Sequence, residues 1–189
     1  MSSIEIGAVF FSLLSVWFAI RRSILNWPFG IVGVALYLVL FYQVRLYADM
    51  ILQIVFIAQA LYGWYNWSKN GSAHDLVQVS ILKNNQRLLI LLTIAAITLM
   101  WATALKKYTE ASLPYIDAFA STTSFVATWL MARKKLESWV LWITADIVYI
   151  GMFWYKELYL SSGIYSLFLA LAVIGLLKWH KNSLHTGSR

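Results

Sequence analysis

Seven long apolar segments fill almost all of this 189-residue chain, and they limit the folds open to it. A helix that crosses a bilayer needs about 20 mainly apolar residues. Charged residues make up only 12% of the chain, whereas soluble domains carry about 25%. The sequence therefore predicts an all-α membrane protein with seven transmembrane helices near 4–20, 27–44, 46–67, 87–105, 115–132, 139–155 and 158–178.

The residue types present argue against an enzyme. Cysteine is absent, which removes thiolate nucleophiles and thiolate metal sites. His74, His180 and His185 all lie outside the predicted spans, so no span pairs a histidine with a carboxylate or a serine. No glycine-rich phosphate loop is present. We expect no cofactor and no metal. The basic residues lie in short clusters between apolar runs, which indicates topology signals and no nucleic-acid partner.

An internal repeat organises the chain. Residues 5–67 align without gaps onto residues 117–179, with about 15 identities. Trp17, Trp27 and Trp67 fall on Trp129, Trp139 and Trp179, and Gly63 falls on Gly175. Each repeat holds three spans, and the single span between them lets both repeats enter the membrane in the same direction. The prediction is two parallel three-helix repeats joined by a linker helix (3+1+3), an arrangement of transporters with a substrate site near the midplane.

The repeat and the charges give domain limits and an orientation. We expect a first repeat at 1–67, a cytoplasmic linker and fourth helix at 68–112, a second repeat at 113–180 and a tail at 181–189. Eleven basic residues fall on one side of the predicted membrane, against Arg45, Lys106, Lys107 and Lys156 on the other. Because basic residues favour the cytoplasm, we expect the N-terminus outside and the C-terminus inside.

The sixth span carries the clearest candidate site. One helical face holds an acid among aromatic residues at spacings of three and four: Trp139, Trp142, Asp146, Tyr149 and Phe153. A carboxylate within a span costs about 2.5–3.5 kcal/mol, and aromatic faces attract flat cations. This pattern indicates a site for a cationic ring. In the alternative, the aromatic residues are packing residues and Asp146 is a structural hydrogen-bonding group.

Two further spans offer candidate lining residues. Ser121, Ser124 and Thr128 share a polar face of the fifth span with Asp117, where hydroxyl groups serve equally well for a pathway or for close helix packing. Gln53 and Trp64 share a face of the third span, and a buried glutamine needs partners. Trp67 and Trp179 stand at span ends beside basic residues, so we expect them to anchor at the lipid headgroups.

Several strings resemble the Pnu (PnuC-type) vitamin transporters, distant relatives of the SWEET sugar carriers. They are Trp27-Pro28-Phe29-Gly30-Ile31, Leu46-Tyr47-Ala48-Asp49 with Leu52-Gln53, Tyr62-Gly63-Trp64-Tyr65-Asn66-Trp67, and Ala132-Arg133-Lys134 with Glu137, Trp139 and Trp142. The resemblance covers nearly the whole chain. It implies a homotrimer in a bacterial inner membrane and facilitated diffusion of an unphosphorylated vitamin, which a cytoplasmic kinase then traps.

The resemblance also bears on the substrate. The nicotinamide riboside branch tends to carry amides where this chain has Ala60, Asp146 and Ile174, whereas Asp146 with Tyr149 is similar to the thiamine branch, PnuT. The prediction is thiamine, whose thiazolium is a permanent cation. Nicotinamide riboside, which is also a cationic aromatic molecule, is the alternative substrate. A membrane receptor or scaffold without transport is the alternative function.

Overall fold

The computed structural model describes residues 3–43, 45, 47–69, 78–108 and 112–186. These residues form seven helices close to the predicted spans, which confirms the fold class. The helices are α1 (Ser3–Ile20), α2 (Asn26–Gln43), α3 (Tyr47–Ser68), α4 (Asn84–Tyr108), α5 (Pro114–Ala132), α6 (Glu137–Tyr155) and α7 (Tyr159–Thr186).

Six of the helices form a closed ring. In order around the ring, α1, α2, α3, α5, α6 and α7 each pack against the next, and α7 packs against α1. The two joints between the repeats are α3 with α5 and α7 with α1. The repeat alignment places α3 on α7 and α1 on α5, so the two joints are equivalent. Helices α2 and α6 do not pack against each other, so they face one another across the inside of the ring.

Helix α4 lies outside the ring, and among the described helices it packs only against α5. It has the highest mean hydropathy, 2.4, of the four helices that are apolar enough by themselves to cross a membrane. The other three such helices are α1, α2 and α7, whereas α3, α5 and α6 carry more polar side chains. Polar groups on ring helices can face the interior, whereas α4 has no interior to face.

Four tryptophans close one end of the ring. The Trp27 and Trp67 rings pack edge to face with their centroids 5.4 Å apart. The equivalent rings, Trp139 and Trp179, have centroids 5.6 Å apart. Trp67 and Trp179 then meet across the ring at 6.2 Å. Their indole nitrogens donate across the repeat joints, from Trp67 to the Met131 carbonyl oxygen at 3.2 Å and from Trp179 to that of Ala19 at 3.0 Å.

This tryptophan cluster (Trp27, Trp67, Trp139, Trp179) corrects one prediction. Trp67 is 2% exposed and Trp179 is 0% exposed, so neither indole anchors at a headgroup. The expectation was wrong because a tryptophan at a helix end can face either the bilayer or the neighbouring repeat. Here the interior position lets each indole bury its ring and also satisfy its N–H.

The segment at 78–83 docks on the loop between α5 and α6. Ser80 accepts a hydrogen bond from Leu136 and donates one to the Lys134 carbonyl, both at 3.0 Å. The Glu137 carboxylate accepts from the Leu82 amide at 3.0 Å and pairs with Arg87 at 2.9 Å. Burial at this contact lowers the pKa of Lys134. We call this end of the bundle the linker end, and the end with the α2–α3 and α6–α7 turns the far end.

Candidate functional site

Asp146 is the central residue of the 19-residue α6, about 14 Å along the axis from either end. It is 3% exposed. Within the part of the chain that the structure describes, no hydrogen bond or ion pair joins its carboxylate to another residue. A buried charged carboxylate without a protein partner is costly, which makes Asp146 the leading candidate for contact with a bound ligand.

Tyr149 lies one helical turn from Asp146 toward the far end. Its hydroxyl interacts with the side-chain hydroxyls of Ser121 and Ser124 on α5, and Ser121 in turn donates to Asp117 at 3.3 Å. The Tyr149 ring stacks on Phe153 at 5.8 Å. Helices α5 and α6 thus present hydroxyl groups and an aromatic face side by side.

Tyr165 of α7 completes this arrangement. Its ring lies 4.7 Å from that of Tyr149, and it interacts electrostatically with Tyr149, Tyr37, Asp146 and Asp117. Tyr37 belongs to α2, on the other side of the ring, and its interaction with Tyr165 agrees with both groups facing the interior. We call this set the central polar cluster: Tyr37, Asp117, Ser121, Ser124, Asp146, Tyr149 and Tyr165.

The structure thus brings together four of the predicted site residues, Ser121, Ser124, Asp146 and Tyr149. Thr128 lies one turn further along α5, half-buried, and its hydroxyl donates to the Ser124 carbonyl oxygen at 2.9 Å. Trp142 is half-buried and packs against the hydrophobic core that contains the tryptophan cluster. These two residues lie between the central polar cluster and the linker end.

Trp139 belongs to the tryptophan cluster, where it is 2% exposed. Its indole N–H and that of the equivalent Trp27 are buried and donate to no protein atom among the described residues. Buried donors without a partner are rare in folded proteins, and these two lie at equivalent positions on the facing helices α2 and α6. The Trp139 ring is used in packing against Trp179.

The third helix contributes less than predicted. Trp64 is 40% exposed and lines a shallow surface depression of about 280 Å³ with Leu61, Tyr65 and Ser68. Gln53 is half-buried. Two other amides join α3 to α5: that of Gln59 donates to the Phe125 carbonyl oxygen at 3.2 Å, and that of Asn66 donates to the Ala132 carbonyl oxygen at 2.7 Å. The structure does not bring Trp64 to the central polar cluster.

Sequence reasoning missed Tyr37 and Tyr165. Tyr37 could have been found, because it aligns with Tyr149 in the repeat. The signal for Tyr165 was weaker, since it aligns with Gln53, a different residue type. Both helix faces are apolar and aromatic, so periodicity alone did not distinguish them from packing surfaces.

A larger cavity of about 700 Å³ lies between α5 and α6 near the far end. Apolar and aromatic side chains dominate its lining, which includes Tyr115, Phe119, Gly151 and Met152. It contains no member of the central polar cluster. Because ligand sites combine apolar walls with a few convergent polar groups, the central polar cluster is the better candidate. Within the described ranges, no three His, Asp or Glu side chains converge to hold a metal ion.

Comparison with known proteins identifies the family. Residues 2–181 match the family described as "Nicotinamide mononucleotide transporter". The chain is 27% identical to the nicotinamide riboside transporter PnuC of Escherichia coli (strain K12), over 100% of this chain and 90% of the relative. It is 28% identical to the riboflavin/roseoflavin transporter RibM of Streptomyces davaonensis, over 88% of this chain and 79% of the relative.

A solved structure is also similar. A crystal structure of the vitamin B3 transporter PnuC matches with a TM-score of 0.78 and 27% identity, over 96% of this chain and 82% of that one. The family match covers nearly the whole chain. Together with the seven-helix ring, it shows that this chain belongs to the nicotinamide mononucleotide transporter family and is a PnuC-type membrane transporter.

Proposed function

We propose that this chain carries an unphosphorylated cationic aromatic vitamin, thiamine, across a bacterial inner membrane by facilitated diffusion. The observation that carries the proposal is Asp146, an acid buried at the centre of the ring with no protein partner among the described residues. A thiazolium supplies the missing positive charge, and the rings of Tyr149 and Tyr165 supply aromatic faces for it.

Nicotinamide riboside is the second candidate, because two of the relatives that carry this name, from Escherichia coli and Neisseria mucosa, are 27% and 28% identical. It is also a cationic aromatic molecule, so Asp146 suits it equally well. Riboflavin, named for another relative, is neutral and cannot form an ion pair with the carboxylate. The chemistry of the cluster therefore favours a cation over a neutral flavin.

The proposed path follows the axis of the ring. With the N-terminus outside, Tyr37, Tyr149 and Tyr165 lie at one depth, about 9 Å from the outer helix ends, and the tryptophan cluster lies at the cytoplasmic end. A substrate from outside passes the tyrosines, reaches Asp146 near the midplane and leaves past the tryptophans. Each step requires one end to open while the other stays closed.

We also propose that transport is uncoupled. The sequence offers no nucleotide-binding loop, so the net direction would come from a cytoplasmic kinase that phosphorylates the vitamin and traps it. The homotrimer implied by the family resemblance is part of the same proposal. A receptor or scaffold without transport is the competing hypothesis, and flux measurements test it.

Purified protein in liposomes tests the substrate and the mechanism together. We expect labelled thiamine to equilibrate across the membrane without accumulating, and excess unlabelled thiamine to compete better than nicotinamide riboside or riboflavin. Faster flux of nicotinamide riboside would make it the substrate instead. Accumulation driven by an imposed proton or sodium gradient would overturn the uncoupled mechanism, and no flux of any of the three vitamins would favour the receptor.

A further inference from the structure

Asp117 is a second carboxylate of the central polar cluster. It is the fourth residue of α5, so it lies about 9 Å closer to the far end than Asp146 does. The Ser121 hydroxyl donates to its Oδ1 atom at 3.3 Å. Asp117 also interacts electrostatically with Tyr149 on α6 and with Tyr165 on α7. The central polar cluster thus holds two acids at different depths, and the proposed function uses only the deeper one.

The first repeat keeps the outer acid but not the groups around it. The position equivalent to Asp117 is Glu5, which also lies in the first turn of its helix. An acid there stabilises a helix N-terminus, and this general role applies to both residues. The position equivalent to Ser121 is Val9, and Val34 stands where the second repeat has its central acid. A carboxylate joined to hydroxyl groups is therefore a feature of the second repeat alone, which the helix N-terminus does not explain.

The contact with Ser121 leaves Asp117 able to accept a further hydrogen bond. An ionised carboxylate has about four lone-pair sites, and the serine hydroxyl occupies one of them. Asp117 is half-buried, so a bond to it is less exposed to competing water than one at the surface. Because an ionised carboxylate accepts hydrogen bonds but cannot donate them, the ligand group that fits is a donor.

We propose that Asp117 is a specificity residue, which accepts a hydrogen bond from an amine on the second ring of the substrate while Asp146 pairs with the cationic ring. The inference rests on the proposed function, in which the substrate is thiamine. Thiamine carries its charge on the thiazolium ring and an amine on the pyrimidine ring, so its two polar groups match the two acids. The rings of Tyr149 and Tyr165, 4.7 Å apart, lie at an intermediate depth and offer the ligand aromatic faces.

Isothermal titration of the purified protein with thiamine and with oxythiamine tests this contact. Oxythiamine keeps the thiazolium ring but carries an oxygen in place of the amine. We expect it to bind the wild type at least about tenfold more weakly than thiamine, the effect of one hydrogen bond to a charged group. In Asp117→Ala the two ligands should bind within about twofold of each other, because the acceptor is gone. Ser121→Ala keeps the carboxylate but removes its hydroxyl partner, so it should reduce the preference by a smaller factor.

Glu5→Ala is the matched control, because it removes the equivalent acid of the first repeat, and it should keep the full preference for thiamine. Equal weakening of both ligands in Asp117→Ala would show a general charge effect and overturn the contact. A wild type that binds both ligands equally well would also overturn it. A wild type that binds neither ligand would instead refute the proposed function, and the amine contact with it. Size-exclusion chromatography confirms that each variant is folded.

Discussion

Gly63 and Gly175 determine how closely the helices approach at the tryptophan cluster. A Cβ atom at Gly175 would lie 2.6 Å from the Trp139 ring, and one at Gly63 would overlap the Trp27 ring. Real Cβ atoms do not come so close to a ring. The two glycines therefore let each repeat seat an indole against its third helix, and the tryptophan cluster depends on them.

Gly175→Ala should destabilise the protein, because the Trp139 ring has to move within a packed cluster. We expect the free energy of unfolding to fall by about 1–3 kcal/mol, measured as a lower midpoint of thermal unfolding in detergent. Gly163→Ala in the same helix is the control, since nothing lies within 4 Å of its added Cβ. An equal loss of stability in both variants would mean that the ring contact is not the cause.

At this scale the sequence predicted residue identities better than residue environments. The repeat alignment paired Trp27 with Trp139 and Trp67 with Trp179, and the structure confirms that the members of each pair have equivalent surroundings. It could not show that Trp67 and Trp179 face inward, because basic residues follow both inward and lipid-facing tryptophans. Their inward orientation follows from the packing of α3 against α5 and of α7 against α1.

The helix ends repeat as faithfully as the helices. Four described residues other than glycine have positive φ, and they form two equivalent pairs: Arg22 (57°) with Lys134 (60°), and Arg45 (61°) with Glu157 (59°). Each ends a helix, where a left-handed residue lets the next amides reach back to the last carbonyls. No residue type signals this conformation here, since arginine, lysine and glutamate do not favour it.

Glu157→Gly should stabilise the α6–α7 turn, because glycine adopts positive φ without the Cβ clash. We expect the free energy of unfolding to rise by about 0.5–1 kcal/mol. The neighbouring Lys156 has a φ of −82°, so Lys156→Gly should instead lower it by about 0.5–1 kcal/mol. Thermal melting of both variants measures the difference, and destabilisation by Glu157→Gly would show that the Glu157 side chain matters more than its backbone.

The ring as a whole follows from duplication of one three-helix unit. The sequence predicted the two parallel repeats and the helix between them, and the closed ring of six helices confirms them. The sequence did not predict which residues along the ring axis would pack at the linker end and which would lie nearer the far end. The aromatic face of α6 was expected to be one site, yet Trp139 packs in the tryptophan cluster, whereas Tyr149 and Phe153 meet Tyr165. The contacts with Trp179 and Tyr165 on α7 determine these two environments. Both α7 residues are distant in sequence from their partners on α6.

The proposed orientation can be tested because the chain has no cysteine. Lys83→Cys and Lys181→Cys mark the linker end, and Glu157→Cys marks the far end; all three positions are exposed. In intact cells we expect a membrane-impermeant thiol reagent to label only Glu157→Cys. Labelling of Lys83→Cys and Lys181→Cys alone would reverse the orientation, and the unaltered chain serves as the background control.

The most direct measurement is the affinity of purified Asp146→Asn for thiamine by isothermal titration calorimetry. Asparagine keeps the shape of the side chain but removes its charge. Loss of a partly desolvated ion pair costs about 2–5 kcal/mol, so we expect thiamine to bind at least about thirtyfold more weakly, with the protein still folded. Unchanged thiamine affinity together with a lower yield of folded protein would contradict this and make the Asp146 carboxylate a structural group.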